Sequence, residues 1–156
     1  MQDFELDSEL DSEPALTAWQ VVRVPFPFTD RQAVKNRPAL VLSDASAFNA
    51  PAGHAVMAMI TSSENAPWPL DCPILNLEMA GLPAPSKVRF KLFTLDQCLV
   101  RGVLGRLAAE DEARLRIGMA RLFGEMPQSK VLQEYGDNND KLKNAVNRTV
   151  GANLFA

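Results

Sequence analysis

The chain has 156 residues, 47% of them hydrophobic and 22% charged, which suits one soluble domain with a real core. No apolar run approaches the roughly 18–20 residues that span a bilayer, and the N-terminus has no basic stretch leading into an apolar core, so no membrane partner and no secretory signal are expected and the chain is placed in the cytoplasm. The formal net charge of −3 is uneven: residues 1–16 hold six acids and no base, whereas residues 17–125 hold twelve Lys/Arg against ten Asp/Glu, nine of the twelve being arginine; a mildly basic central segment permits a polyanionic partner without demanding one.

In chain order, residues 1–16 alternate acids with apolar residues or serine and show no packing period, so they read as a disordered acidic leader. WQVVRVPF, from Trp19, is rich in β-formers and reads as a strand. A polar loop, Thr29 to Asn36, precedes PALVLSD, a second strand with Pro38 as its first residue, where a missing N–H is tolerated. Ala50 to Gly53 read as a turn. HAVMAMITS is almost continuously apolar and reads as a central strand. ENAPWPLD is a loop, CPIL a short strand, and EMAGLPAPS a turn region. KVRFKLFTL and CLVRGVLGRL read as two further strands. Five or six short strands at close spacing predict a small barrel or sandwich rather than a βαβ fold.

One helix is expected, from Ala109 to Phe123, with Leu115, Met119, Leu122 and Phe123 on one face. Glu110 with Arg114 and Glu112 with Arg116 fall at i,i+4 in the favourable order, and Gly124 stands where a C-terminal cap belongs. Residues 126–156 show no firm pattern. The chain thus divides into a leader, 1–16, a folded domain, 17–125, and a tail, 126–156.

No phosphate-binding glycine loop, zinc-protease helix or nucleophile elbow is present. With a single histidine, His54, and two isolated cysteines, Cys72 and Cys98, neither a Ser-His-Asp triad nor a metal site is expected, and no cofactor. Chemistry would have to run on arginine, hydroxyls and carboxylates. Arg37, in Lys35-Asn36-Arg37-Pro38, sits where a loop enters a strand; its fork can bind a phosphate, although an arginine there more often pairs with a surface carboxylate. Thr61, Ser62 and Ser63 end the most apolar strand and can donate to a phosphate, although such residues also close their own turns. Alternation puts Lys87, Arg89 and Lys91 on one strand face, either a phosphate track or a plain solvent face. His54 begins the strand that Thr61 ends, roughly 23 Å away at about 3.3 Å per residue, so the two do not serve one site. Trp19, Trp68, Phe26, Phe28 and Phe93 read as core or interface anchors.

Taken together, VVRVPFPFTD, NRPALVLS, VMAMITSS, AGLPAPSKVRFKLFTLD and LVRGVLGRL, in that order and ahead of a final helix, resemble the PemK/MazF family of toxins from toxin–antitoxin systems, most closely its PemK-like branch. The resemblance runs from about Trp19 to Gly124. It implies a mainly β (α+β) fold, a small SH3-like barrel with a C-terminal helix packed on it, and a homodimer. It implies metal-independent, sequence-selective cleavage of single-stranded RNA such as mRNA, by 2′-hydroxyl attack that leaves a cyclic phosphate and a 5′-hydroxyl, and a cognate antitoxin in the RNA groove. By position, the family's essential arginine falls on Arg37, its essential threonine on Thr61 and a further arginine on Arg89. Asp30, Lys35, Asn36, Ser62, Ser63, Lys87 and Lys91 are the implied RNA contacts. The chain departs from the pattern at Lys91, where plasmid members carry an acid, and over Asp30–Val34. These departures leave Asp30, Asp44 and Glu64 as candidates for the general base. They also leave open a non-catalytic module that binds antitoxin, RNA or, as in gyrase-poisoning toxins of the same barrel, DNA gyrase.

Overall fold

In the computed structural model of the chain, the residues described are 14–26 and 35–124; expectations for the leader before residue 14, for the loop holding Phe28 and Asp30, and for the tail beyond residue 124 lie outside them. The chain divides after Leu115 into two units. The first carries a six-stranded sheet: β1 (Gln20–Phe26), β2 (Lys35–Val41), β3 (His54–Ser62), β4 (Cys72–Ile74), β5 (Ser86–Asp96) and β6 (Val103–Arg106). The strand order is β4-β5-β3-β2-β1-β6 and every pairing is antiparallel. The result is a curled antiparallel half-barrel followed by a helix, α3 (Ala109–Leu122), inside which the unit boundary falls.

The apolar patterning explains why the sheet is covered on opposite faces at its two ends. One face carries Val22, Val24, Ala39, Val41, Ala55, Met57 and Leu95 as a buried cluster, with Leu16, Phe93 and Val100 packed against it. Alternation sends Val21, Leu40, Ala58, Ile60 and Val88 to the other face, and these are buried as well. The crossover shows in β3, where Ala55 and Met57 are buried on one face, but Ala58 and Ile60 on the other. Facing this change, β5 carries two extra residues, Phe90 and Lys91, between its pairs with Ala58 and Met59; such a bulge bends the strand and sharpens its twist.

β3 is central, as its apolar run predicts. Pro38 is not the first residue of β2 but its fourth, and Lys35 and Asn36 belong to the strand rather than to a loop. The β2–β3 ladder starts only at Ala39, so the donor that Pro38 lacks is not required by β3, and β2 leaves β3 unpaired ahead of it. Two turn expectations give way to short helices. Ala45–Asn49 form a π-helical turn that runs into α1 (Ala50–Ala52), capped by the Asp44 carboxylate at its start and by left-handed Gly53 at its end. At the start of the expected turn EMAGLPAPS stands α2 (Leu77–Ala80), which begins one residue ahead of it and is capped by Asn76 and Gly81. Leu16, counted in the disordered leader from the sequence, is instead tied into the fold: its N–H donates to Gln97 Oε1 at 2.8 Å and its carbonyl accepts from Asn49 Nδ2 at 2.7 Å.

In α3, Leu115 is buried as expected. Arg114 pairs with Asp111, three residues back, instead of Glu110. Asp111 is itself buried and accepts from the backbone N–H groups of Leu75 and Asn76 at 3.0 and 2.9 Å, which docks the first turn of the helix on the segment after β4. In the second unit Gly124 takes a φ of 73° and donates to the Arg121 carbonyl, the expected cap, while Phe123 stays exposed.

Candidate functional site

The sheet register brings most of the implicated side chains to one end of one face. Arg37 pairs with Val24 on β1. On β3 and β5, Thr61 lies opposite Lys87 and Met59 opposite Arg89. Arg37 and Thr61 each lie two residues beyond Ala39–Met59, the last pair of the β2–β3 ladder, on the same face of their strands. Paired residues share a face, and i,i+2 positions keep it. Lys35, Arg37, Thr61, Lys87, Arg89 and Lys91 therefore all lie on the face that carries the Val24–Met57 cluster, beyond the point where that cluster ends. Asn36 and Ser62 fall on the opposite face, so the three consecutive hydroxyls do not act together; Ser62 Oγ accepts from the Glu64 N–H and Ser63 is bonded through its backbone to Pro85.

The loop from Ser63 to Asp71 folds over the β5 cations. The Asp71 carboxylate accepts from Arg89 Nε at 3.1 Å and Arg89 Nη2 at 2.9 Å, and Lys87 Nζ lies 3.1 Å from it. Backbone carbonyls complete the shell: Arg89 Nη2 donates to Ala66 and Lys87 Nζ to Asn65, each at 2.7 Å. Lys87 is only 8% exposed; the sequence allowed it as a solvent-facing residue of a phosphate track, but the structure buries it under the loop, where its charge is tolerated because it is paired. Burial alone would raise the Asp71 pKa, yet the hydrogen bonds from Arg89 and Lys87 outweigh it and hold the group below the ordinary aspartate range. The same contact with Asp71 raises that of Arg89.

Arg89 is thus held along one edge of its guanidinium, and among the described residues no partner takes its Nη1. Thr61 Oγ1 accepts from Asn65 Nδ2, which leaves the threonine O–H free to donate elsewhere. Arg37 is exposed and its guanidinium sits 5.5 Å over the Phe26 ring, so Phe26 is a half-buried platform rather than a core anchor. Lys91 Nζ stands 4.7 Å from the centre of Trp68, and the Arg89 guanidinium 5.6 Å. Trp68, read from the sequence as a core or interface anchor, is 45% exposed; Trp19 is buried as expected.

Asp71, which binds both β5 cations, is the side chain of this candidate site that sequence reasoning missed. It was not among the three carboxylates considered, and its one signal was its place at the end of a proline-stiffened loop just before β4. Of those three, Asp44 caps the helical turn beyond the far end of β2, roughly 20 Å from Arg37 at about 3.3 Å per residue. Glu64 is exposed two residues beyond Ser62, and Asp30 lies outside the described residues. His54 begins β3, at the other end from Thr61. A cavity of about 550 Å³ lies elsewhere, lined by Leu75–Glu78 and by Glu110, Asp111 and Arg114; its carboxylates suit a polyanion poorly. Among the described residues no group of three or more His, Cys, Asp or Glu gathers as a metal site, and no helix is long and apolar enough to cross a membrane.

Comparison with known proteins places the chain in a family. Residues 17–123 match the family model described as the PemK-like, MazF-like toxin of type II toxin–antitoxin systems. The chain belongs to this PemK/MazF family. Among solved structures similar to it is a MazE–MazF complex from Deinococcus radiodurans, 25% identical with a TM-score of 0.58, covering 72% of this chain and 99% of that one. An endoribonuclease in complex with its cognate antitoxin from a mycobacterial species superposes with a TM-score of 0.58 at 17% identity, over 74% of this chain and 99% of that one. The Mycobacterium tuberculosis toxin MazF-mt6 gives 0.55 at 21% identity, over 69% and 99%. The half-barrel with its C-terminal helix is the MazF-like fold. No curated protein matches by sequence.

Proposed function

We propose that this PemK/MazF chain is a metal-independent endoribonuclease that cuts single-stranded RNA, mRNA among them, by 2′-hydroxyl attack on the adjacent phosphate, leaving a cyclic phosphate and a 5′-hydroxyl end. The observation that carries it is the placement of Arg37, Thr61 and Arg89, on three neighbouring strands, on one sheet face beyond the end of its apolar cluster. In such a reaction negative charge grows on the non-bridging phosphate oxygens. Arg37 meets them with a guanidinium that stays protonated. Arg89 meets them with Nη1, the nitrogen that Asp71 and the Ala66 carbonyl leave untaken, already oriented before substrate arrives, which is the condition for transition-state stabilisation. Thr61 donates its hydroxyl to the same phosphate. Lys35 and Lys91 extend the positive face to either side. As in the antitoxin-bound relatives, a cognate antitoxin is the expected protein partner, and a homodimer the expected assembly. The acidic segment ahead of Leu16 and residues 126–156 flank the catalytic domain as a leader and a tail.

Purified protein incubated with a long unstructured RNA in excess EDTA tests this directly: cleavage with cyclic-phosphate and 5′-hydroxyl ends is expected, and an intact RNA at every pH, with or without added divalent metal, refutes it. Arg37→Ala should lower the rate by about 100- to 1000-fold, the usual effect of removing one preorganised donor, with an unchanged far-UV circular dichroism spectrum.

One observation favours the second reading, a binding module without nuclease activity. The one carboxylate that touches the cationic cluster among the described residues, Asp71, is saturated: it accepts from Arg89, Lys87 and the Trp68 N–H. A carboxylate so engaged, with a lowered pKa, is a poor general base. RNA binding without cleavage, equally weakened by Arg37→Ala, would decide for that reading.

A further inference from the structure

We propose that Trp68 is a nucleobase-stacking subsite, which seats one unpaired base of the RNA beside the phosphate held by Arg37 and Arg89; this rests on the RNA-cutting reading above and deepens it.

The placement of the ring is the first ground. An indole left 45% exposed on a soluble surface is expensive in apolar area, and here it adjoins the cationic end of the sheet face. Lys91 and Arg89 both stand within cation–π range of it. Exposed aromatics interleaved with cations are what single-stranded nucleic acid uses: the cations track the backbone, and each base offers a flat face to a ring.

The rigidity of the ring is the second ground. Pro67 and Pro69 flank Trp68 in the sequence and restrict its backbone. The turn is closed by two reciprocal bonds: the Trp68 N–H donates to Asp71 Oδ2 at 3.0 Å, and the Asp71 N–H donates to the Trp68 carbonyl at 3.1 Å. Leu70 between them takes a φ of 63°, a conformation that is unfavourable for a residue with a branched side chain. The loop thus holds a strained turn in one shape. Asp71, which closes the turn, is also the group that orients Arg89. One carboxylate therefore fixes the distance between a stacking platform and a phosphate donor, which is the geometry that positions a nucleotide.

The test uses the full chain and a ten-nucleotide 2′-O-methyl RNA pool, which cannot be cut by 2′-hydroxyl attack, beside an abasic strand of equal length. Trp68 is exposed, so Trp68→Ala is expected to fold. RNA affinity should fall by roughly 10-fold or more in Trp68→Ala, the usual effect of losing one base stack, and by less than about threefold in Trp68→Phe, which keeps a ring. Affinity for the abasic strand should be equal in all three proteins. In the wild type the RNA pool should quench tryptophan emission, and the abasic strand should not; buried Trp19 supplies the constant background. Equal RNA affinity in wild type and Trp68→Ala, while Arg37→Ala is impaired, overturns the subsite and leaves the nuclease reading standing. A change of oligomeric state in Trp68→Ala with RNA affinity unaltered assigns the ring to a protein interface and also overturns it. A wild-type protein that neither binds nor cuts RNA removes both.

Discussion

At Asp71 a single carboxylate takes hydrogen bonds from Arg89, Lys87 and the backbone of Trp68, so removing its charge has consequences on both sides. Asp71→Asn keeps the shape but leaves Lys87 and Arg89 with carbonyl partners alone. Its denaturation midpoint should fall below that of the wild type at pH 7. The pH dependence has a defined sign. The folded-state pKa of Asp71 is depressed below its usual value of 3.8, so its stabilising contribution is fully present above about pH 5 and is lost as pH falls through the folded value. Urea titrations between pH 6 and pH 2 should show the gap between wild type and Asp71→Asn closing as the acid range is entered; a constant gap would mean that the carboxylate charge is irrelevant. Arg37 was legible as a residue but not as a neighbour. The sequence marks it by its position before Pro38, yet only the strand register shows it facing the same way as Thr61 and Arg89.

Two short connections set where the elements dock. Gly81 ends α2 with a φ of 70°, and a Cβ there would run into the Leu104 carbonyl of β6. Gly81→Ala meets both the left-handed penalty and that contact, and should cost about 2 kcal/mol or more in urea-derived stability; a smaller loss would mean that β6 yields freely. Asp111 docks α3 by accepting two backbone N–H groups. Asp111→Ala orphans both donors next to a buried position, and should cost about 1–3 kcal/mol, with RNA cleavage unaffected at temperatures where the variant stays folded. Both short helices were misread as turns for the same reason. Three or four residues carry no readable period, and Asp44, Asn76, Gly53 and Gly81 serve a turn as well as a helix cap. The long elements were legible because β3 and β5 repeat their pattern over 9 and 11 residues.

For the molecule as a whole, charge placement matters more than net charge. With −3 overall, the RNA affinity proposed above has to come from the local cationic face, so binding should weaken steeply with salt. The log–log slope should become shallower by about 0.7 in Arg37→Ala, the value expected for one phosphate contact to a single strand; an unchanged slope would place Arg37 outside the backbone contacts. The same face explains why two basic residues on one strand behave differently: Lys87 is covered by the 63–71 loop, whereas Lys91 lies at the bulge and stays exposed.

The sequence by itself determined the strand pattern, the central place of β3, the C-terminal helix and the family, because these are properties of local periodicity and of residue order. Only the tertiary structure decided which cations are free, which carboxylate restrains them, and that Trp68 stands in the open. These depend on how a loop whose contacts lie 18 and 23 residues ahead of Arg89 along the chain folds back across β5, and a contact of that kind leaves no period in the sequence.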